Sequence, residues 1–300
     1  MIRLALFLLS LALAARATVV APGMLLLDGA VVGRDLVVVG ERGSILVSSD
    51  NGLTWQAATV PTLATLTGVS FAPGTPRGWA VGHDALILTT ADAGRTWTKQ
   101  WGGENLSDSF LDVLALDARH VIAVGAYGLY LTSTDGGQTW TRRKLNDDDH
   151  HLNRLSLGPT GTLYLAGEHG TLLRSTDNGA KWARLESPYD GSFYGILPLD
   201  KRTLFAHGLR GRLFRSIDDG NNWEPVPNSL SVLFATALKL RSNFIVLAGQ
   251  ARALLVSRDY GKTVDLWPAP LSAGVAELLE TPDGSILALG ESGATLLPKP

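Results

Sequence analysis

The chain has 300 residues, of which 45% are apolar and 18% are charged, and its formal net charge is -2. Acidic and basic residues are interspersed along the sequence, which argues against a basic stripe for nucleic acid and against an acidic solvating tail. The sequence contains no cysteine, so disulfides, thiol catalysis and Cys-ligated zinc or iron–sulfur centres are excluded.

The N-terminus has the pattern of an export signal. Arg3 precedes an apolar run over residues 4–14, and Ala15-Arg16-Ala17 matches the small-x-small pattern of a signal-peptidase site. We predict a signal peptide over residues 1–17 and a single domain over residues 18–300. An uncleaved anchor is the alternative, but the apolar run is shorter than the ~20 residues that span a bilayer.

An eight-residue motif, S/T-x-D-x-G-x-x-W, recurs along the chain. Five copies end at Trp55, Trp97, Trp140, Trp182 and Trp223, and a sixth copy over residues 257–264 lacks only the tryptophan. The aspartates of the six copies are Asp50, Asp92, Asp135, Asp177, Asp218 and Asp259, at intervals of 42, 43, 42, 41 and 41 residues. This period is typical of one four-stranded blade of a β-propeller.

A glycine that closes an apolar run precedes each motif and predicts one further blade. These glycines are Gly40, Gly82, Gly125, Gly167, Gly208 and Gly249, and Gly290 follows on the same spacing. The sequence therefore predicts a seventh unit over residues 284–298, which has no motif of its own. We predict an all-β fold, a seven-bladed β-propeller of four-stranded antiparallel blades; six blades with a C-terminal appendage are the alternative.

The extended, apolar residues 18–27 belong to none of the seven units. We predict that they supply the outer strand that the last unit lacks. Backbone hydrogen bonds between the two ends of the chain would then close the ring and remove an exposed sheet edge.

We call each motif an Asp box and predict that it forms the turn between the third and fourth strands of its blade. The aspartate accepts backbone N–H bonds, the glycine takes a positive φ, and the tryptophan buries apolar surface against the strands. All three tasks are structural.

The longer pattern A-V-G-x-x-G/A-x-L/I-x-x-T/S-x-D-x-G-x-T-W occurs at residues 80–97 and 123–140. It resembles the photosystem II assembly and stability factor family of Asp-box propellers, and the likeness extends over most of the chain. The resemblance implies an exported, non-enzymatic protein that binds subunits of membrane complexes. It also implies residence in a periplasm or a compartment equivalent to the thylakoid lumen, either soluble or peripherally bound to a membrane.

Candidate partner-binding residues lie in the predicted hairpins between second and third strands, on the face opposite the boxes. Loops on a rigid scaffold are where binding residues concentrate. The resemblance also implies an arginine-rich patch, of which this sequence has only some candidates. The complete candidate set is Arg42, His83, Asp84, Tyr127, Glu168, His169, Arg210, Arg212 and Arg252.

Sequence motifs for catalysis, metals and cofactors are weak or missing. The segment Asp147-Asp148-Asp149-His150-His151 carries possible metal ligands, but its spacing matches no H-E-x-x-H or EF-hand motif, and a solvated acidic loop is the favoured interpretation. No Walker motif, dinucleotide fingerprint or G-x-S-x-G elbow is present. We expect no metal, no nucleotide and no cofactor.

A glycosidase is the alternative function, because Asp boxes also occur in sialidases. Such an enzyme needs paired carboxylates, or a tyrosine nucleophile with acid/base partners. Asp84, Tyr127, Glu168 and Arg210 are the residues that would have to converge, and the sialidase Arg-Ile-Pro motif is missing. We therefore predict a monomeric, non-enzymatic module that binds a membrane-protein subunit through an extracytoplasmic loop or tail.

Overall fold

The computed structural model describes residues 23–103, 105–145 and 148–300. The predicted signal peptide and residues 18–22 of the predicted closing strand lie outside these ranges. None of the described helices has the length and apolar character needed to cross a membrane.

The described chain is a propeller of seven antiparallel sheets, as the repeat spacing predicts. Six sheets have four strands, and the sheet at the C-terminus has three in the described residues. In every blade the strands follow chain order from the central channel to the rim. Short 3-10 turns cover Glu41–Gly43, Ala126–Gly128, Leu209–Gly211 and Gln250–Arg252.

The strands of the first four blades have the following bounds. Blade 1 consists of β1 (Leu26–Val32), β2 (Asp35–Gly40), β3 (Ile45–Ser48) and β4 (Gln56–Ala57); blade 2 of β5 (Leu66–Phe71), β6 (Gly78–Gly82), β7 (Leu86–Thr90) and β8 (Thr98–Gly102); blade 3 of β9 (Phe110–Ala115), β10 (Val121–Gly125), β11 (Tyr130–Ser133) and β12 (Thr141–Arg142); blade 4 of β13 (Leu152–Leu157), β14 (Leu163–Gly167), β15 (Leu172–Ser175) and β16 (Ala183–Arg184).

The strands of the last three blades continue the same order. Blade 5 consists of β17 (Phe193–Pro198), β18 (Leu204–Gly208), β19 (Leu213–Ser216) and β20 (Glu224–Pro225); blade 6 of β21 (Phe234–Lys239), β22 (Ile245–Gly249), β23 (Leu254–Ser257) and β24 (Asp265–Leu266); blade 7 of β25 (Val275–Glu280), β26 (Ile286–Gly290) and β27 (Gly293–Leu297).

Each second strand is an almost continuous apolar run because it is buried on both faces. In β6, β10 and β14 every residue is buried. Neighbouring blades cover the two faces of each sheet, so the usual alternation of apolar and polar residues disappears. The core is therefore a ring of clusters between adjacent blades.

The glycine that ends each second strand is required by the inner strand of the same blade. A Cβ on Gly40 would lie 2.1 Å from the carbonyl oxygen of Leu25, and a Cβ on Gly125 would lie 2.1 Å from that of Ser109. Real Cβ atoms do not approach backbone that closely, so only glycine fits. This close approach explains the seven regularly spaced glycines of the sequence.

The predicted outer strand over residues 18–27 extends too far at its C-terminal end, because Leu26 and Leu27 belong to the inner strand of blade 1. Leu26 pairs with Gly40 of β2, and Leu27 lies at the irregularity between Leu26 and Asp28. Blades 1 and 7 meet through an apolar cluster in which Leu36 and Val38 pack with Leu287 and Leu289. Residues 18–27 form a nearly continuous apolar run, which does not show where an outer strand ends and an inner strand begins.

Candidate functional site

The ring has two chemically different faces, which follow from the strand order. The Asp boxes follow the third strands, whereas the second-to-third hairpins precede them, so the two kinds of turn lie at opposite ends of the same strands. The links between blades run from fourth strands to the next inner strands and join the hairpin side. We call this side the tip face and the other side the box face.

The box turns are closed by hydrogen bonds within the motif. In the third box, Ser133 Oγ donates to Asp135 Oδ1 at 2.8 Å and accepts from the N–H of Gly137 at 2.7 Å. Asp135 also accepts from the N–H and hydroxyl of Thr139 at 2.9 and 2.6 Å. These bonds from Thr139 lower the pKa of Asp135 to about 2. The carboxylate is thus used entirely inside its own turn.

Box tryptophans add apolar contact to this polar network. Trp55 and Trp97 are buried, and each donates its indole N–H to the carbonyl of the box glycine, Gly52 at 3.1 Å and Gly94 at 2.8 Å. Side chains of the preceding blade hold several boxes in place. Arg77, for example, donates to the carbonyl of Gly136 in the next blade at 2.7 Å.

The tip turns force two consecutive residues into the left-handed region. Arg42, Tyr127 and Arg210 have φ values of 55°, 54° and 57° and are followed by glycines. Gly43 lies so close to the carbonyl oxygen of Thr62 that a Cβ would be only 2.1 Å away. Each link is thereby fixed against a tip, and the preceding side chain is directed outward from the ring.

Four of the predicted partner-binding residues form a basic sector on blades 1, 5 and 6. Arg42, Arg210, Arg212 and Arg252 are exposed, and no ion pair to any of them occurs within the described ranges. Arg212 lies over the ring of Tyr189, 5.7 Å from its centroid. The guanidinium groups are therefore available to acidic groups of a partner.

The other predicted residues lie on blades 2 to 4 and have different surroundings. His83, Asp84, Tyr127 and His169 are exposed. Glu168 is engaged internally, because Glu168 Oε2 accepts from the N–H of His151 at 3.0 Å. Glu41 and Glu291 occupy the same position in their tips and accept from Leu25 N and Gly274 N. The carboxylate at this position therefore anchors the chain just before an inner strand.

Three histidines gather beside Tyr127 without forming a metal centre. The rings of His150 and His169 stack at 4.3 Å, and the ring of His151 meets that of Tyr127 edge-on at 4.9 Å. No group of three or more His, Cys, Asp or Glu side chains arranged for a metal ion occurs among the described residues. Stacked imidazoles direct their ring nitrogens in parallel planes, which does not suit a shared tetrahedral ion.

The channel holds a charged cluster that sequence reasoning missed. Asp28, Asp112, Arg154 and Glu277 each occupy the third position of an inner strand and line or adjoin a cavity of about 220 Å3 at the channel mouth. Arg154 of blade 4 crosses the channel to Glu277 of blade 7 and lies 3.5 Å from Asp28 of blade 1. A charged residue interrupting a predicted apolar strand is the signal that marks this cluster.

Every carboxylate oxygen of the cluster faces a donor. Asp28 Oδ2 accepts from Val69 N at 2.7 Å, and Asp112 accepts from Val113 N and Leu155 N at 2.8 and 2.7 Å. Glu277 accepts from the Thr236 hydroxyl at 2.6 Å and from Leu278 N at 2.9 Å.

Burial raises the pKa of Asp28 to about 8 and that of Asp112 to about 6, while Arg154 opposes both shifts. Raised pKa values in a cleft are common in catalytic sites. Here Asp28 and Asp112 bond to the backbone of the next blade, at Val69 N and Leu155 N, so both carboxyl groups join adjacent blades.

Comparison with known proteins places the chain in a family. A family model described as photosynthesis system II assembly factor YCF48 matches residues 26–106 and 98–233. The photosystem II stability/assembly factor HCF136, chloroplastic, of Arabidopsis thaliana is 32% identical over 87 residues, which are 26% of this chain and 21% of that protein. This match thus spans about a fifth of the length of the curated relative.

Solved structures share the fold at low sequence identity. A structure described as YCF48 bound to D1 peptide has a TM-score of 0.72 and 22% identity, covering 94% of this chain and 95% of that one. YCF48 from Cyanidioschyzon merolae has a TM-score of 0.74, 17% identity and coverage of 92% and 95%. An ancestral GH74 enzyme has a TM-score of 0.75, 14% identity and coverage of 95% and 46%.

The structural likenesses establish the seven-bladed fold, while the family model carries the assignment. Its two matched segments extend from residue 26 to residue 233, which is more than half of the chain. This protein therefore belongs to the YCF48 family of photosynthesis system II assembly factors.

Proposed function

We propose that this protein is an exported, non-enzymatic binding module that assists the assembly or stability of a membrane-protein complex. Its tip face binds an extracytoplasmic loop or tail of one subunit. The compartment is a periplasm or an equivalent of the thylakoid lumen. The observation that carries the proposal is the set of exposed arginines on the tip face for which the described chain provides no acidic partner.

Relatives support a binding role in membrane-complex assembly. One solved relative is described as bound to a D1 peptide, and the curated relative is described as a photosystem II stability/assembly factor. A propeller whose boxes are internally closed leaves its other face as the surface for a partner. Arginine forms bidentate bonds with carboxylates, so acidic residues are expected in the bound segment.

A glycosidase or glycan-binding propeller is the alternative function. The likeness to a GH74 enzyme supports it only at the level of the fold, because the identity is 14%. Retaining and inverting glycosidases need two carboxyl groups free to act on a sugar. The channel carboxylates are occupied by backbone donors, and Glu168 is occupied by His151, which favours the binding role.

A crosslinking pull-down from membranes of the native host tests the proposal. The bait is the tagged, exported protein, compared with Arg42→Ala/Tyr127→Ala/His169→Ala/Arg210→Ala. A matched control carries Leu53→Ala/Arg202→Ala/Ile217→Ala/Lys262→Ala, which changes four exposed residues of the box face. Urea unfolding shows first that all three proteins are equally stable.

We expect one membrane-protein subunit to be captured by the wild type and the box-face control and to be lost with the tip-face variant. Capture that is unchanged by the tip-face substitutions would overturn the proposed binding face. If no membrane protein is captured by any bait, the assembly role is wrong, and glycan-binding and sialidase-type assays on the purified protein test the alternative.

A further inference from the structure

Three large apolar side chains project from consecutive positions of the tip face. The exposed fraction is 84% for Leu63, 67% for Leu106 and 69% for Tyr127. Leu63 lies in the link beside the tip of blade 1, Leu106 in the link beside the tip of blade 2, and Tyr127 at the tip of blade 3. Exposed apolar residues occur on the box side as well, so the tip-face three are distinguished by lying in adjoining links and tips of blades 1 to 3 and not by their exposure alone.

The backbone that presents these side chains is held by hydrogen bonds and close packing. The backbone of Leu63 packs closely against Gly43, because a Cβ on Gly43 would lie only 3.2 Å from Leu63 Cα. Leu106 lies in a turn in which Asp108 N donates to Asn105 O at 3.0 Å, and Asp108 O in turn accepts from Ala85 N of blade 2 at 2.8 Å. A surface that is ordered before binding loses little entropy when a partner docks.

Exposed aspartates lie beside the turns that hold Leu106 and Tyr127, whereas Leu63 lies beside the tip that carries Arg42 and so borders the basic sector. Asp84, Asp148 and Asp149 are exposed, and Asp148 and Asp149 lie beside Gly128, the residue after Tyr127. No ion pair to these three aspartates occurs in the parts of the chain that the structure describes. We call the group Leu63, Leu106, Tyr127, Asp84, Asp148 and Asp149 the apolar–acidic sector.

We propose that the apolar–acidic sector is a second docking site for the same client segment, and that it takes apolar residues flanked by a lysine or arginine. This inference rests on the proposed function and adds the orientation in which the client segment lies on the tip face. The segment crosses the channel mouth with its acidic part over the basic sector and its apolar, cationic part over blades 1 to 3. Complementary charge fixes orientation and excludes the reversed arrangement.

Tyr127 is the centre of this second site. Its ring is exposed and nearly perpendicular to the ring of His151, so at least one face of the Tyr127 ring is available to a cation or an apolar side chain. Aromatic residues with adjacent acidic groups are suited to Lys and Arg through cation–π and charge attraction. A bilayer surface of anionic lipid is disfavoured, because the three aspartates would face like charges.

Site-specific photocrosslinking tests the direction of the segment. A photoreactive phenylalanine replaces Tyr127 in one protein and Arg210 in another, and both are irradiated with membranes of the native host. Mass spectrometry then identifies the client residue at each link. We expect the same client in both cases, with apolar residues and a lysine or arginine next to the link at position 127 and acidic residues next to the link at position 210.

The outcomes separate this inference from the proposed function. If neither position links a membrane protein, the proposed function falls. If position 210 links a client and position 127 links nothing, lipid, or an acidic part of the client, the second site is wrong and the proposed function stands.

A synthetic peptide of the linked segment gives a second measurement. We expect Leu63→Ser/Leu106→Ser/Tyr127→Ser to weaken its binding by about tenfold or more, since interfaces depend on a few apolar anchors. The matched control Leu53→Ser/Ile217→Ser/Leu266→Ser changes three comparably exposed apolar residues away from the tip face and is expected to bind within about twofold of wild type. Equal weakening by both variants, or none by the first, would overturn the second site.

Discussion

The box turns and the tip turns lie at opposite ends of the same third strands, but their polar groups are used differently. In a box, Asp135 is bonded to Ser133 and Thr139, so its charge stabilises the turn. At a tip, Arg210 is exposed and has no acidic partner within the described chain. Internal satisfaction of polar groups therefore separates a structural face from the face proposed to bind a partner, on a scaffold of nearly identical blades.

The channel cluster refines this comparison. It lies near the tip face, but its carboxylates, like those of the boxes, accept hydrogen bonds from within the protein. Asp28 and Asp112 accept backbone N–H bonds from the next blade, and Arg154 joins Glu277 across the channel. Proximity to the tip face is thus not enough to make a charged residue a binding residue. Whether its polar atoms are already bonded is the more useful criterion.

Acid unfolding gives the largest expected effect on the box side. The pKa values of Asp135, Asp218 and Asp259 are lowered to about 2, and those of Asp50, Asp92 and Asp177 are also lowered. A lowered folded-state pKa contributes stability above the unfolded value of 3.8, and this stability is lost as the pH falls through about 2. We expect the urea midpoint, followed by tryptophan fluorescence, to fall steeply between pH 4 and pH 2.

The control for that prediction uses one carboxylate from each face. Asp135→Asn should reduce the acid-dependent change in the free energy of unfolding, whereas Asp84→Asn should leave it unchanged. His207 titrates separately, because its burial lowers its pKa to about 4 and its effect develops between pH 6.5 and 4. Equal acid dependence in both aspartate variants would break the comparison between the faces.

Removal of one aromatic side chain from each face should give the next largest difference, measured as the loss in the free energy of unfolding. Trp97 is 3% exposed and Tyr127 is 69% exposed. Trp97→Ala should lower the free energy of unfolding by about 3–5 kcal/mol, because it removes packed apolar surface and leaves a cavity. Tyr127→Ala should change it by less than about 0.5 kcal/mol. Urea denaturation measures both, and a comparable loss in the two variants would contradict the assignment of Tyr127 to a binding surface.

Substitution of one arginine in the channel, Arg154, and one on the tip face, Arg210, tests whether internal bonding determines the contribution to stability. Arg154→Met leaves Glu277 and Asp28 without their cation and should cost about 3 kcal/mol, near the lower end of values for a broken buried pair because the Arg154 side chain is 30% exposed. Arg210→Met should cost less than about 0.5 kcal/mol. The reverse order of stabilities would show that the channel cluster is not a structural staple.

The pH dependence of the channel carboxyl Asp28 has the opposite sign to that of the box aspartates. Burial raises the pKa of Asp28 to about 8, while Arg154 partly offsets the shift. A raised folded-state pKa contributes stability below the unfolded value of 3.8, and this contribution is lost as the pH rises through 8. Asp28→Asn should therefore be less sensitive than wild type to a change from pH 5 to pH 8. An unchanged pH dependence would argue against the shift.

Sequence spacing predicts the fold because each blade repeats the same local constraints. The box serine and aspartate, the glycine before each tip and the buried second strand recur about every 42 residues, and the structure has seven blades at that spacing. The bounds of the closing segment were predicted less well, because residues 26–27 belong to the inner strand of blade 1. A continuous apolar run does not show where one strand ends and the next begins, and only the pairing of Leu26 with Gly40 identifies the inner strand.

Only those residues of the candidate site that belong to a repeated motif could be predicted from the sequence. Tip residues such as Arg42 and Arg210 follow from their place after the repeated glycine. The structure adds that Glu168 bonds to His151, which the sequence does not show, and its role toward a partner stays a prediction. Leu63 and Leu106 lie in links that have no repeated motif, so only their exposure in the folded chain identifies them.

Hydrogen–deuterium exchange of the protein with and without the captured client segment tests the central claim most directly. We predict that new protection appears at the tip turns, residues 41–43, 126–128 and 209–211, and in the links beside them. The box amides, such as Gly137 N and Thr139 N, should keep the protection that their internal bonds provide in the free protein. New protection confined to the boxes, with the tips unchanged, would contradict the account.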